Sequence, residues 1–345
     1  MASRLNQFLT AARDAGASDV QLSSGAVPWM RVEGEIKRLP EMAIDEPECA
    51  ALAVELLDMA KAEGGLDVDF SFDAGNLGRF RANLHRHDRG TGISLKCIPQ
   101  ELPDLASLGL PESLEDLTYY RTGMVLVTGP AGCGKSSTLA ALLQRVNQTR
   151  HEHVITIEEP IEFVFPNDKC NVTQREVGRH TTGFELALRA ALREDPDVIL
   201  VSELRDLDAI RTAIIAAETG HLVLGTLHTR DAASTVNRII DAFPPNEQDQ
   251  IKTMVAASLR TVVCQQLLPR QGGGRRVPAY EIMKVTPAVA NLIRDGKTHL
   301  LPGQLQLGRR HGMVDLDTRL LEMVAQELIT TDVARRYAVN KKRFD

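Results

Sequence analysis

Residues 124–137 read MVLVTGPAGCGKSS. An apolar run, then GxxxxGK[ST], then the helix-forming stretch TLAALLQRVNQ predicts a strand, a phosphate-binding loop and a helix in direct succession. Gly129, Pro130, Ala131, Gly132, Cys133, Gly134, Lys135, Ser136 and Ser137 form that loop. Its glycines allow successive backbone N–H groups to wrap phosphate oxygens, and the helix that follows turns its positive end toward the anion. Lys135 is expected to reach the β and γ phosphates of ATP, and the Ser136 hydroxyl to take a Mg²⁺ position. Cys133, beside Lys135 and near a helix N-terminus, is expected to favour its thiolate.

Such a loop needs a second carboxylate on the metal side. DVILVSELRD (197–206) offers Glu203 directly after its apolar run. HVITIEEPIEF (153–163) ends another strand with Glu158 and Glu159, and because neighbouring side chains on a strand point to opposite faces, only one of the pair can address the γ-phosphate. TGHLVLGTLHT (219–229) places His221 at the start and His228 at the end of a strand; ligands bind at strand carboxyl ends in an α/β sheet, which favours His228. Four such runs, apolar on both faces and separated by helical stretches, imply a buried and largely parallel sheet.

The texture before residue 99 differs. A helix over 5–15, short strands in 19–24 and 28–39 with a Glu33-Gly34 turn, and a helix over roughly 46–62 stopped by Gly64-Gly65 are followed by two alternating strands. In GRFRANLH (78–85) Phe80, Ala82 and Leu84 share one face, which leaves Arg79 and Arg81 on the other, with Arg89 in the turn beyond. PQELPDLASLGLP, with three prolines, reads as a linker. The expected organisation is an N-terminal α+β domain over 1–98, a linker over 99–112, an ATPase core over 113–270 and a C-terminal strand pair with helices over 271–345.

Composition narrows the function classes. The chain has 345 residues, a formal charge of −6 and only 4% aromatic residues, which disfavours a nucleic-acid motor needing a basic groove and stacking platforms. Five cysteines, never closer than 36 residues, show neither a disulfide framework nor a CxxC metal site and suit a cytoplasmic setting. No run of 18 apolar residues occurs, and the first twenty residues lack an apolar core, so neither direct membrane insertion nor a secretory signal is expected.

The ordered set of phosphate loop, TIEEPIEF, VTQREVG (172–178), ALREDPDVILVSELRD, TGHLVLGTLHT and DAFP (241–244) resembles the PilT family of type IV pilus retraction ATPases within the secretion ATPase superfamily. The similarity runs over nearly the whole chain, including RFRANLHRHDRG, GGGRRVPAYEIM and AVANLIRDGK. It implies a PAS-like N-terminal domain, a RecA-like core, and a homohexamer with nucleotide at its interfaces. It assigns Glu158 as the catalytic glutamate, Glu203 to metal and water, His221 and His228 as sensors of nucleotide state, and Arg81 and Arg89 to the surface that meets nucleotide from a neighbouring subunit. It further implies docking at the inner membrane through a pilus platform protein, with a paralogous retraction ATPase as a second partner. Glu159 stands where the family usually has aspartate, Ser202 where it has glycine, Ser137 where threonine is common and Lys96 where arginine is frequent. Two alternatives follow from these departures: an accessory PilU-like paralogue, and a low-turnover ATP-binding regulator.

Overall fold

The computed structural model describes residues 3–40, 43–99 and 101–345. The chain divides into two compact units, one running up to Leu102 and including Glu159–Val164, the other comprising Pro103–Glu158 and Phe165–Asp345. Gln100, within the expected linker, lies outside the described residues.

In the first unit, α1 (Arg4–Asp14) turns Leu5, Phe8, Leu9 and Ala12 inward at helical spacing, and the Ser3 side chain caps its first turn. Strands β1 (Asp19–Ser23), β2 (Trp29–Val32) and β3 (Glu35–Arg38) precede α2 (Glu46–Ala60), and β4 (Asp67–Asp73), β5 (Arg79–His87) and β6 (Gly90–Ile98) follow it. They form one antiparallel sheet in the order β3-β2-β1-β6-β5-β4. Phe80, Ala82 and Leu84 of β5 are buried as the alternation predicts, and the Phe72 and Phe80 rings stack 5.6 Å apart. The helix α2 stops earlier than the Gly64-Gly65 pair suggested. Lys61 takes the left-handed conformation (φ 52°), and its neighbour Ala62 donates back to Leu57, which closes the carbonyl end without a glycine.

The second unit alternates strands and helices: β7 (Gly123–Thr128), α3 (Lys135–Thr149), β8 (His153–Glu158), β9 (Asn171–Glu176), α4 (Phe184–Ala191), β10 (Val198–Val201), α5 (Leu207–Glu218), β11 (Leu222–Leu227), α6 (Ala232–Asp241), α7 (Gln248–Ser258), β12 (Leu259–Leu268) and β13 (Val277–Lys284). The helices α8 (Pro287–Arg294), α9 (Leu301–Leu307), α10 (Leu316–Ala325) and α11 (Thr331–Tyr337) complete it. Its sheet order is β13-β12-β7-β11-β10-β8-β9, parallel throughout except for β13 on the edge. The α/β fold class holds. Every residue of β7, β10 and β11 is buried, because helices cover both faces. One covering helix, α5, buries Ile210, Ile214 and Ala217 on a single stripe. Among the described residues, no helix is long and apolar enough to cross a membrane.

Candidate functional site

Because β7, β11, β10 and β8 are neighbours and parallel, the residues after their carboxyl ends emerge along one edge of the sheet. The loop 129–134, His228, Glu203 and Glu158 all lie on that edge. Roughly 14 Å of sheet width separates β7 from β8, three strand spacings, a span suited to an extended phosphate chain rather than to one side chain.

The loop itself is pinned from β12. The Gln265 carboxamide donates to the Cys133 carbonyl at 2.7 Å and accepts from the Thr138 hydroxyl at 2.8 Å, joining loop to helix. Gly129 (φ 143°) is obligatory: a Cβ there would sit 2.2 Å from the Gln265 backbone oxygen. Gly134 (φ 92°) turns the chain into α3. Most long helices in this chain, such as α5 and α6, are capped by an aspartate, yet no side chain caps α3. Its first-turn N–H groups therefore face the loop's mouth, where Pro130, Ala131, Gly132 and Ser136 are exposed.

Lys135 Nζ donates to the carbonyls of Gly129 (2.9 Å) and Pro130 (3.2 Å) and lies 3.3 Å from His228 Nδ1. His228 Nε2 lies 3.2 Å from Glu203 Oε1, and the other Glu203 oxygen accepts from Arg205 Nε at 2.7 Å. The turn after β10 is held on both sides: Ser202 N donates to Ile157 O at 2.9 Å, Leu204 N to Thr226 O at 3.0 Å, and the Thr226 hydroxyl to Ser202 O. A backbone N–H of Ser202 does this work, so serine serves where glycine is usual.

Glu158 is buried, and its Oε1 accepts from Thr156 Oγ1 at 2.6 Å and Gln174 Nε2 at 3.0 Å. Two donors on one oxygen fix the carboxylate plane. Glu159 begins the segment that belongs to the first unit, so Glu158 is the member of the pair that stays in the core. The hydroxyl of Ser136 and the carboxylate of Glu203 are hard oxygen donors, and the described residues hold no cluster of three or more His, Cys, Asp or Glu side chains able to bind a metal by themselves. That donor set fits Mg²⁺, which keeps waters and phosphate oxygens as its other ligands.

Within the second unit, one expected residue, His221, is not brought into this cluster. His221 sits at the opposite end of β11, about 20 Å from His228, with Nδ1 at 3.0 Å from Ala216 O. Arg81 pairs with Asp69 and Glu162 inside the first unit, and there the backbone N–H of Arg89 donates to His87 Nδ1 at 3.2 Å. The Cys133 thiolate expectation is overturned: the side chain is only 3% exposed, and burial pushes its thiol up despite the nearby Lys135. Its Sγ packs against Gly129. Conversely, Gln265, Gln174, Thr156 and Arg205 were not singled out in the sequence. For Thr156 a signal existed, since it lies two residues before Glu158 on β8 and so on the same side of the strand.

The family profile described as "Type II/IV secretion system protein" matches residues 88–277. The type IV pilus retraction ATPase PilT of Pseudomonas aeruginosa is 44% identical over 343 residues, covering 99% of both chains. A twitching motility protein of Neisseria gonorrhoeae is 43% identical over 334 residues, 94% of this chain and 89% of that one. Among solved structures, the pilus retraction motor PilT with bound ADP superposes with a TM-score of 0.87 at 40% identity, covering 99% of each chain. With a nucleotide loop, strand order and acidic edge already in place, these likenesses assign the chain to the PilT branch of the type II/IV secretion ATPase family.

Proposed function

We propose that the chain is the motor that retracts type IV pili, a cytoplasmic homohexamer that docks on an inner-membrane pilus platform protein and works with a paralogous retraction ATPase. The observation that carries the enzymatic part is the side-chain relay Lys135–His228–Glu203, which ties the phosphate loop to the acid on the neighbouring strand end. Full-length likeness to PilT supports the pilus part.

In this reading the loop amides and Lys135 hold the β and γ phosphates of ATP. Ser136 and Glu203 would hold Mg²⁺, which would supply positive charge against that of the phosphates. Glu158, its carboxylate plane set by Thr156 and Gln174, orients the attacking water and takes its proton. His228 senses whether the phosphate is present, because Lys135 and Glu203 both change partners when it arrives. Arg81, and behind it Arg89, completes the site of a neighbouring subunit, where an arginine supplies roughly 10³ to 10⁵ in rate. His221, remote from the loop within its own subunit, has its sensing role at a subunit boundary.

Mixing tests the shared site. Arg81→Ala and Glu158→Gln subunits, each inactive alone, regain hydrolysis in mixed hexamers because some interfaces then hold both intact residues. No recovery after verified subunit exchange overturns the assignment of Arg81.

A further inference from the structure

Glu281 lies in the interior of the second unit on β13, only 8% exposed, and has no part in the chemistry above. It sits directly opposite Cys264 of β12 in the antiparallel ladder, so both side chains leave the same face. Thr128, the residue before Gly129, donates its hydroxyl to that Cys264 sulfur at 3.0 Å. The Glu281 carboxylate is therefore next door to the base of the phosphate loop.

Its hydrogen-bond partner is a helix start. Ala232 N, the first N–H of α6, donates to Glu281 Oε1 at 2.8 Å. This is a donor that a helix cannot satisfy internally. Asp231 caps the third N–H of the same helix, on Ser234 (2.7 Å), but leaves the first to Glu281. Only residues 229–231 separate α6 from His228, and they are short of slack: Thr229 and Thr235 hydroxyls are 2.6 Å apart, and Thr235 also bonds Asp231 O at 2.8 Å. A shift of α6 would thus move His228.

We propose that Glu281 is a positioning residue for the nucleotide site: its carboxylate locks the first turn of α6 onto β13 and so sets where His228 stands between Lys135 and Glu203. The proposal rests on the role of His228 given above. A carboxylate accepts the Ala232 N–H with full charge; a protonated acid or a carboxamide is a neutral, weaker acceptor and loosens the tie to α6. Burial, helped by Asp231 and Asp315, pushes the Glu281 carboxyl up to about 7, so the two forms exchange near neutrality. The groups that face it are Asp231 ahead of α6, Asp315 ahead of α10, itself paired with Arg343 at 3.4 Å, and the Cys264 thiol on β12, which burial and Glu281 push well up.

The test measures steady-state ATP hydrolysis and binding of a fluorescent ADP to the full chain between about pH 6 and pH 8. It compares wild type, Glu281→Gln, Glu281→Ala, His228→Ala and the double variant Glu281→Ala/His228→Ala. Glu281→Ala is expected to lose about tenfold in kcat with nucleotide affinity within about twofold, and the double variant to be no slower than His228→Ala. Glu281→Gln, which keeps the shape and one acceptor, is expected to lose less and to flatten the rise of kcat through pH 7. Wild-type kcat with a wild-type pH profile in Glu281→Gln overturns the proposal, as does a fully multiplicative loss in the double variant. If His228→Ala alone turns over at the wild-type rate, the role of His228 falls first and the coupling falls with it.

Discussion

His228 Nε2 lies 3.2 Å from Glu203 Oε1, and on the other side of the ring the Nζ of Lys135, which has only donors, lies 3.3 Å from Nδ1. The ring thus spans the phosphate loop and the neighbouring strand end. A His228→Ala variant is expected to retain nucleotide binding while losing about tenfold to a hundredfold in kcat. Single-turnover hydrolysis separates the two quantities; a loss of affinity with unchanged kcat would contradict this arrangement.

Glu158 is positioned from two sides, and the roles can be graded. Removing the carboxylate in Glu158→Gln should cost about 10² to 10⁴ in hydrolysis with ATP still bound. Gln174→Ala and Thr156→Val, which leave the carboxylate but release its plane, should each cost about tenfold. Equal losses in all three variants would mean that Glu158 is structural.

Much of this edge was legible in the residues themselves. The loop 129–137, Glu203, Glu158 and His228 follow apolar runs that cannot be surface strands, and strand ends of a parallel sheet converge. What supports them was not legible. β12 follows α7 without a turn residue, Ser258 passing straight to Leu259, so no punctuation marks the change, and Gln265 looks like an interruption in an apolar run rather than the clamp on the phosphate loop. β9 is polar because it is the sheet's edge, which hides both the strand and Gln174. β6 is likewise absent from the sequence-based expectation, which stops at Arg89 in the turn after β5.

Cys133 marks a different kind of limit, since its neighbours along the chain favour a thiolate and its burial prevents one. Alkylation of the folded chain near pH 7.5 is expected to be at least about tenfold slower at Cys133 than at an unstructured thiol, and to recover on denaturation. Rapid labelling that ATP blocks would restore the reactive-thiol reading.

Glu281 also leaves a mark on stability. Its carboxyl is raised from 4.5 to about 7 by burial, so between those values the folded chain keeps a proton that the unfolded chain has released. Stability from this group is present below pH 4.5 and is lost as pH rises to about 7, an effect on the order of 3 kcal/mol at most. Denaturant unfolding of wild type and Glu281→Gln at mildly acid and mildly alkaline pH should show that the variant gains on wild type as pH rises. A difference independent of pH would place Glu281 in an ordinary environment.

The central claim is that ATP turnover at this edge draws pili in. The direct measurement is live imaging of labelled pili in the native host, with the chromosomal copy replaced by Lys135→Ala or Glu158→Gln. The account predicts pili that extend normally and fail to retract in both strains, with retraction restored by the wild-type chain. Retraction at the normal speed and frequency in the Lys135→Ala strain, at wild-type protein levels, would contradict it.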